Sequence, residues 1–99
     1  MLTPFEARQR LFQHLATMVA YWRDIPEAQL RAGNPDGDPV QERLSGFLFS
    51  TLVALDGSAA LPGFDLVPRD DEKWPIVSIN ADVELHAAFP EGIIPARQP

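Results

Sequence analysis

The chain has 99 residues and a formal net charge of −6, and 45% of its residues are hydrophobic. This composition is typical of a single globular domain over residues 1–99, and the acidic balance argues against direct nucleic-acid binding, which needs clustered Lys and Arg side chains. Because cysteine is absent, disulfides, thiolate metal sites and cysteine nucleophiles are excluded.

The N-terminal quarter of the chain predicts a helix. Residues 3–6 (TPFE) combine a capping threonine, a proline at the first helical position and a glutamate that completes a capping box. Pro26 disfavours helical geometry at the residue before it, so the helix is predicted to end near Ile25, with a short extra turn over residues 26–32. Apolar residues recur along it in steps of four and three, which places them on one face: Leu11, Leu15, Met18, Trp22 and Ile25.

A second helix is predicted over residues 39–56. Residues 38–41 (DPVQ) repeat the start signal, and Gly57 suits a left-handed cap at the end of the helix. Residues 47–55 are apolar on nearly every side, which is typical of a buried helix, so we expect this helix to form the centre of the core. Ser45 and Gly46 are small enough to let another backbone approach closely.

Two short strands are predicted after this helix. A turn region over residues 58–63 precedes residues 64–67, which alternate in polarity, and residues 74–79 are rich in aromatic and β-branched side chains. The two segments are predicted to pair as a hairpin that lies on the helices. Pro75 confines its end of the second strand to an edge or a strand start.

The chain is predicted to close with a short third helix. Asn80 is a suitable N-cap, and Pro90 ends the pattern. Residues 93–99 are predicted to form an extended tail. The predicted fold class is therefore α+β, with two main amphipathic helices, a two-stranded hairpin and a C-terminal short helix in the order α-α-β-β-α.

A candidate metal site is predicted near the end of the chain. If residues 80–89 are helical, Asp82 and His86 share one face at i,i+4 spacing, and Glu84 adds a second carboxylate. A surface ion pair at the end of a helix is the alternative interpretation of the same residues.

The candidate binding residues are an acidic run and a tryptophan: Asp70, Asp71, Glu72 and Trp74. The acids could bind a cation weakly or form a solvated turn. The tryptophan could anchor a partner or seat the hairpin against the first helix. Since Gly-x-Ser-x-Gly, Walker and Rossmann patterns are absent, we assign no catalytic residue and expect no cofactor.

One stretch carries a family resemblance. Residues 42–57 (ERLSGFLFSTLVALDG), followed by LPGF at 61–64, resemble a group of small uncharacterised bacterial proteins, some of them phage-encoded. The sequence INADVELH at 79–86 is similar to the closing helix of that group. The resemblance implies a helix–turn–strand order and carries no activity to transfer.

These features favour a small, acidic, non-enzymatic interaction protein of bacterial or phage origin. It is expected to bind a protein partner or itself, as a homodimer through its helical stripes. Two alternatives are a metal-binding module using Asp82, Glu84 and His86, and a structural subunit that folds fully only beside a larger partner. Residues 50–99 carry a net charge of −5, which could attract a basic partner or only keep the protein soluble.

A cytoplasmic location without membrane contact is expected. The first twenty residues carry charged side chains and no uninterrupted apolar segment of the kind that a secretory signal needs. The longest strongly apolar run, residues 46–55, is too short to span a bilayer.

Overall fold

A computed structural model of the protein describes residues 2–33, 35–57 and 61–95. Across these ranges the chain forms four helices: α1 (Pro4–Asp24), α2 (Glu27–Gly33), α3 (Pro39–Asp56) and α4 (Leu85–Ala88). None of these helices is long and apolar enough to cross a membrane.

The ends of the two long helices follow their local capping signals. The amide of Glu6 donates to the hydroxyl of Thr3 at 3.1 Å at the start of α1, and the amide of Val40 donates to the carboxylate of Asp38 at 3.0 Å at the start of α3. Gly57 ends α3 with a φ of 84°, a left-handed value that glycine adopts without steric cost. Both predicted long helices, and the short turn that became α2, are confirmed.

The α1–α3 contact is built around Trp22. Its indole ring lies over Gly46, where a side chain would overlap the ring, and its Nε1 donates to the hydroxyl of Ser50 at 3.2 Å. Gly46 does admit a close neighbour, but the nearest atoms belong to the Trp22 side chain and not to the backbone that was predicted. Without a Cβ at this position, the flat ring can fill the space between the two helices.

Arg43 fixes the end of α1 against α3. Its Nη1 donates to the carbonyl of Trp22, to that of Arg23 at 3.1 Å and to that of Ile25 at 2.8 Å. The last carbonyls of a helix have no partner within the helix, and they carry the negative end of its dipole. The Arg43 guanidinium donates hydrogen bonds to these carbonyls and also places a positive charge at the negative end of the dipole.

The predicted hairpin and the α+β class are wrong. In the described part of the chain the one β-bridge is isolated and antiparallel, between Pro75 and Arg69, which lies outside the first predicted strand, and the structure is mostly helical, at 56%. The amide of Ile76 donates to the carbonyl of Pro68 at 2.9 Å. Pro68 has no N–H to donate in return, so a regular ladder cannot continue through this pair.

Asn80 holds this extended region in place of a ladder. Its amide nitrogen donates to the carbonyl of Phe64 at 2.7 Å, and its oxygen accepts the amide of Leu66 at 2.9 Å. The prediction that Asn80 caps a helix is therefore wrong, since α4 begins only at Leu85. Residues 58–60 of the predicted turn and residues 96–99 of the predicted tail lie outside the described residues.

Few of the described side chains are buried. The buried hydrophobic residues are Met18, Ile25 and Ala54. The prediction that residues 47–55 are shielded on every side is wrong for the single chain, since Phe49 is 53% exposed and Ala54 is the buried residue of α3. The polypeptide that follows α3 is too irregular to cover it.

Candidate functional site

A largely enclosed polar cluster lies where α3 meets α4. The Asp56 side chain is 2% exposed, and its carboxylate accepts the amides of Leu85 at 2.8 Å and His86 at 2.9 Å. The same carboxylate lies 2.7 Å from Nδ1 of His86. Asp56 thus satisfies the free N–H groups at the start of α4 from another helix, a role that sequence analysis gave to Asn80.

The second nitrogen of His86 faces another acid. Nε2 lies 3.2 Å from a carboxylate oxygen of Glu84, and the ring stands edge-on to Phe49 with centroids 5.5 Å apart. Both ring nitrogens can donate at once only when the imidazole is protonated. Placed between two carboxylates, His86 joins α4 to α3, and among the described residues both ring nitrogens face carboxylates and not a hydroxyl that the imidazole could activate.

The carboxyl of Asp56 has a lowered pKa. Burial raises its pKa, but hydrogen bonds from the amides of His86 and Leu85 and from the His86 ring together lower it further than burial raises it. The ionised form is therefore the one that the fold favours, which agrees with its role as an acceptor of several donors.

Two glycines bring the chain back against the end of α3. A Cβ on Gly57 would lie 2.9 Å from the carbonyl oxygen of Pro62, and one on Gly63 would lie 2.9 Å from Cα of Gly57. Both residues have positive φ. Their close approach allows the amide of Phe64 to donate to the carbonyl of Leu55 at 2.8 Å, which closes the turn beside Asp56.

Two hollows border the cluster. A mainly apolar groove of about 430 Å³ is lined by His86 and by side chains of α3 and the C-terminal segment, among them Leu48, Phe49, Leu52 and Phe89. A polar pocket of about 340 Å³ includes Asp56, Asp65, Asn80 and Glu84. Within the described ranges, no group of three or more His, Asp or Glu side chains is arranged to hold a metal ion.

The predicted metal residues are only partly brought together. Glu84 and His86 are in contact, but Asp82 lies before α4 in irregular chain and is exposed. The i,i+4 relation between Asp82 and His86 required a helix over residues 80–89, and that helix is wrong, since α4 spans four residues.

The predicted binding residues lie at a surface turn. The carboxylate of Asp70 accepts the amides of Glu72 at 2.9 Å and Trp74 at 3.0 Å, so this acid stabilises its own turn. Asp71 and Glu72 are exposed. Trp74 is 66% exposed, so its ring does not seat this segment against α1.

A candidate interaction surface lies on the long helices. Phe5, Phe12 and Val19 follow one another at steps of seven along α1 and are 61%, 55% and 50% exposed. At Val19 this row reaches an open groove of about 540 Å³, which is also lined by Leu44 and Phe47 of α3 and by the side chains of Arg23 and Arg43. We call these five apolar residues the α1–α3 apolar face.

Sequence reasoning missed both Asp56 and this face. An acid in the last turn of a helix opposes the helix dipole, so Asp56 just before Gly57 signals a partner elsewhere in the fold. Phe5, Phe12 and Val19 recur at the seven-residue spacing of an interhelical seam. Periodicity alone, however, does not show which side of a helix the rest of the fold leaves uncovered.

Comparisons of the chain with models of protein families, with curated proteins and with solved structures find no match. The resemblance of residues 42–57 to small bacterial or phage-encoded proteins therefore stays a prediction, and function is argued from the geometry alone.

Proposed function

We propose that the protein is a small non-enzymatic interaction protein whose exposed apolar surface is covered by a protein partner. The observation that supports this is the size of its surface. The chain has a solvent-accessible surface of 7622 Å², whereas a folded monomer of 11.0 kDa is expected to expose about 5,600 Å². Its radius of gyration, 16.1 Å, also exceeds the value of about 13 Å for a compact chain of this length.

The character of the excess surface favours a binding role. Large apolar side chains are exposed along both long helices, including Phe12 and Leu44. Exposed apolar side chains concentrated on one part of a protein's surface favour a protein-binding site. The polar cluster at Asp56 supports no competing catalytic role, because its groups are engaged in joining α3 to α4.

The alternative of a metal-binding module has less support. Asp82 lies apart from α4, and Nδ1 of His86 is engaged by Asp56. Titration with Zn²⁺ separates the two functions, since a metal module would be stabilised against heat by the metal and an interaction protein would not.

The experiment is affinity capture with matched variants. Leu44→Asp places a charge on the α1–α3 apolar face, whereas Val77→Asp places one at an equally exposed apolar residue away from the helices. We expect the wild type and Val77→Asp to capture the same partner, which is either another protein or a second copy of this chain. Leu44→Asp should no longer bind that partner. A wild-type chain that is monomeric, binds no apolar dye and captures no protein would contradict the proposal.

A further inference from the structure

We propose that the occupant of the α1–α3 apolar face is a second copy of this chain, joined by a two-fold axis that passes near Phe12. This inference rests on the proposed function and names its partner. Phe5, Phe12, Val19, Leu44 and Phe47 form the surface that each copy presents to the other.

The spacing of the face makes it self-complementary. Phe5 and Val19 each lie seven residues from Phe12, on the same side of α1. A two-fold axis at Phe12 therefore sets two α1 helices antiparallel and brings Phe5 of each copy to Val19 of the other. An interface of this type uses the same patch on both subunits, with contacts that repeat in pairs.

A protruding aromatic and an open groove occupy the two ends of the face. Phe5 is 61% exposed near the start of α1, and the groove of about 540 Å³ lies about 21 Å further along the helix, beside Val19, Leu44 and Phe47. The two-fold axis carries each Phe5 to the groove of the other copy. One rotation thus fills both grooves with the aromatic side chains that the single chain leaves in water.

The surface of the whole chain leaves room for a homodimer interface. The chain exposes about 2,000 Å² more than a compact monomer of its mass, and obligate homodimers bury about 1,000–2,500 Å² on each subunit. A second copy seated on the α1–α3 apolar face covers the part of this excess that Phe5, Phe12, Val19 and Leu44 contribute.

The charge distribution also permits two copies to meet here. Residues 1–49, which contain the whole face, carry five basic and six acidic side chains and are close to neutral, whereas residues 50–99 carry three basic and eight acidic side chains. Two acidic halves would repel each other, so self-association is favoured through the N-terminal half.

The absence of native cysteine allows a direct test by cross-linking. A mixture of Phe5→Cys and Val19→Cys chains should form a disulfide-linked dimer on mild oxidation, whereas Phe5→Cys alone and the exposed control Val77→Cys should not. Phe12→Cys alone should link to itself across the axis. This readout does not require a variant that folds as a monomer.

Light scattering during size-exclusion chromatography completes the experiment. We expect a wild-type mass of twice 11.0 kDa, a dimer for Val77→Asp, and dissociation on Leu44→Asp. A dimer that survives Leu44→Asp and fails the mixed cross-link would overturn the assigned face. A wild-type monomer that binds apolar dye would overturn the second copy while leaving the proposed interaction function intact, and a monomer that binds none would remove both.

Discussion

Gly46→Ala is the substitution that best tests the packing of α1 against α3. A Cβ at this position would overlap the outer edge of the Trp22 indole, and even the third-nearest ring carbon would lie at 2.7 Å. The ring would have to leave its place between the helices and would lose the hydrogen bond from its Nε1 to Ser50.

Opposing effects set the size of the change. Replacing glycine by alanine inside a helix favours the helix by about 1 kcal/mol. Overpacking of a well-fitted contact costs about 1–3 kcal/mol, and the lost hydrogen bond costs about 1 kcal/mol more. We therefore expect a net loss of about 1–3 kcal/mol in the free energy of unfolding, with a fall in Tm of about 4–8 °C for each kcal/mol.

The chain supplies a matched control in Gly33→Ala. Gly33 is also helical, but a Cβ there would meet nothing within 4 Å, so its Tm should stay unchanged or rise. Urea unfolding followed by circular dichroism at one fixed protein concentration measures both variants. In a Trp22→Leu background, Gly46→Ala should cost much less, because the ring that it strikes is gone. If Gly46→Ala raised the Tm as Gly33→Ala does, the proposed contact would be incorrect.

Other contacts give predictions that the same unfolding assay checks. Arg43→Ala should lower the free energy of unfolding by about 1–3 kcal/mol because it leaves carbonyls of α1 without a donor, whereas Arg31→Ala breaks only an exposed ion pair and should stay within about 0.5 kcal/mol. Asn80→Ala should cost about 1–2 kcal/mol through the lost bonds to residues 64 and 66, and the exposed Asp82→Ala should change little. Because the folded-state pKa of Asp56 is lowered, the unfolded carboxyl takes up a proton first as the pH falls. Asp56 therefore stabilises the fold above the ordinary carboxyl pKa of about 4, and that contribution is lost as the pH falls through the lower folded value. Asp56→Asn should accordingly lose less stability than the wild type between about pH 7 and pH 3, and an equal loss would contradict the assigned role.

Local sequence signals predicted the helices because the groups involved are neighbours in the chain. Thr3 accepts an amide three residues away, and Asp38 accepts an amide two residues away. Such contacts form in any chain that carries the pattern. The left-handed turn at Gly57 is equally local, since it depends on the missing Cβ of a single residue.

The polar cluster could not be predicted in this way. Asp56 and His86 are thirty residues apart, so no local pattern in the sequence links them. Hydrophobic periodicity indicates the face that each residue occupies on its own helix. A carboxylate that caps a different helix leaves no such periodic pattern. Asn80 was misassigned for the same reason, since its partners at Phe64 and Leu66 lie far back in the sequence.

The failed strands and the uncovered helices have one common cause. The chain contains ten prolines, and those at positions 68 and 75 remove amide donors from the segments that were predicted to pair. A sheet that cannot form a regular ladder cannot present a continuous apolar layer, and Trp74 and Val77 of these segments are exposed. Residues 47–55 of α3 are apolar on nearly all sides, so they need neighbours on more sides than α1 and this irregular chain can supply. Beside segments that cannot cover it, such a helix keeps apolar side chains exposed in the single chain, which is why its all-apolar pattern did not predict its burial correctly.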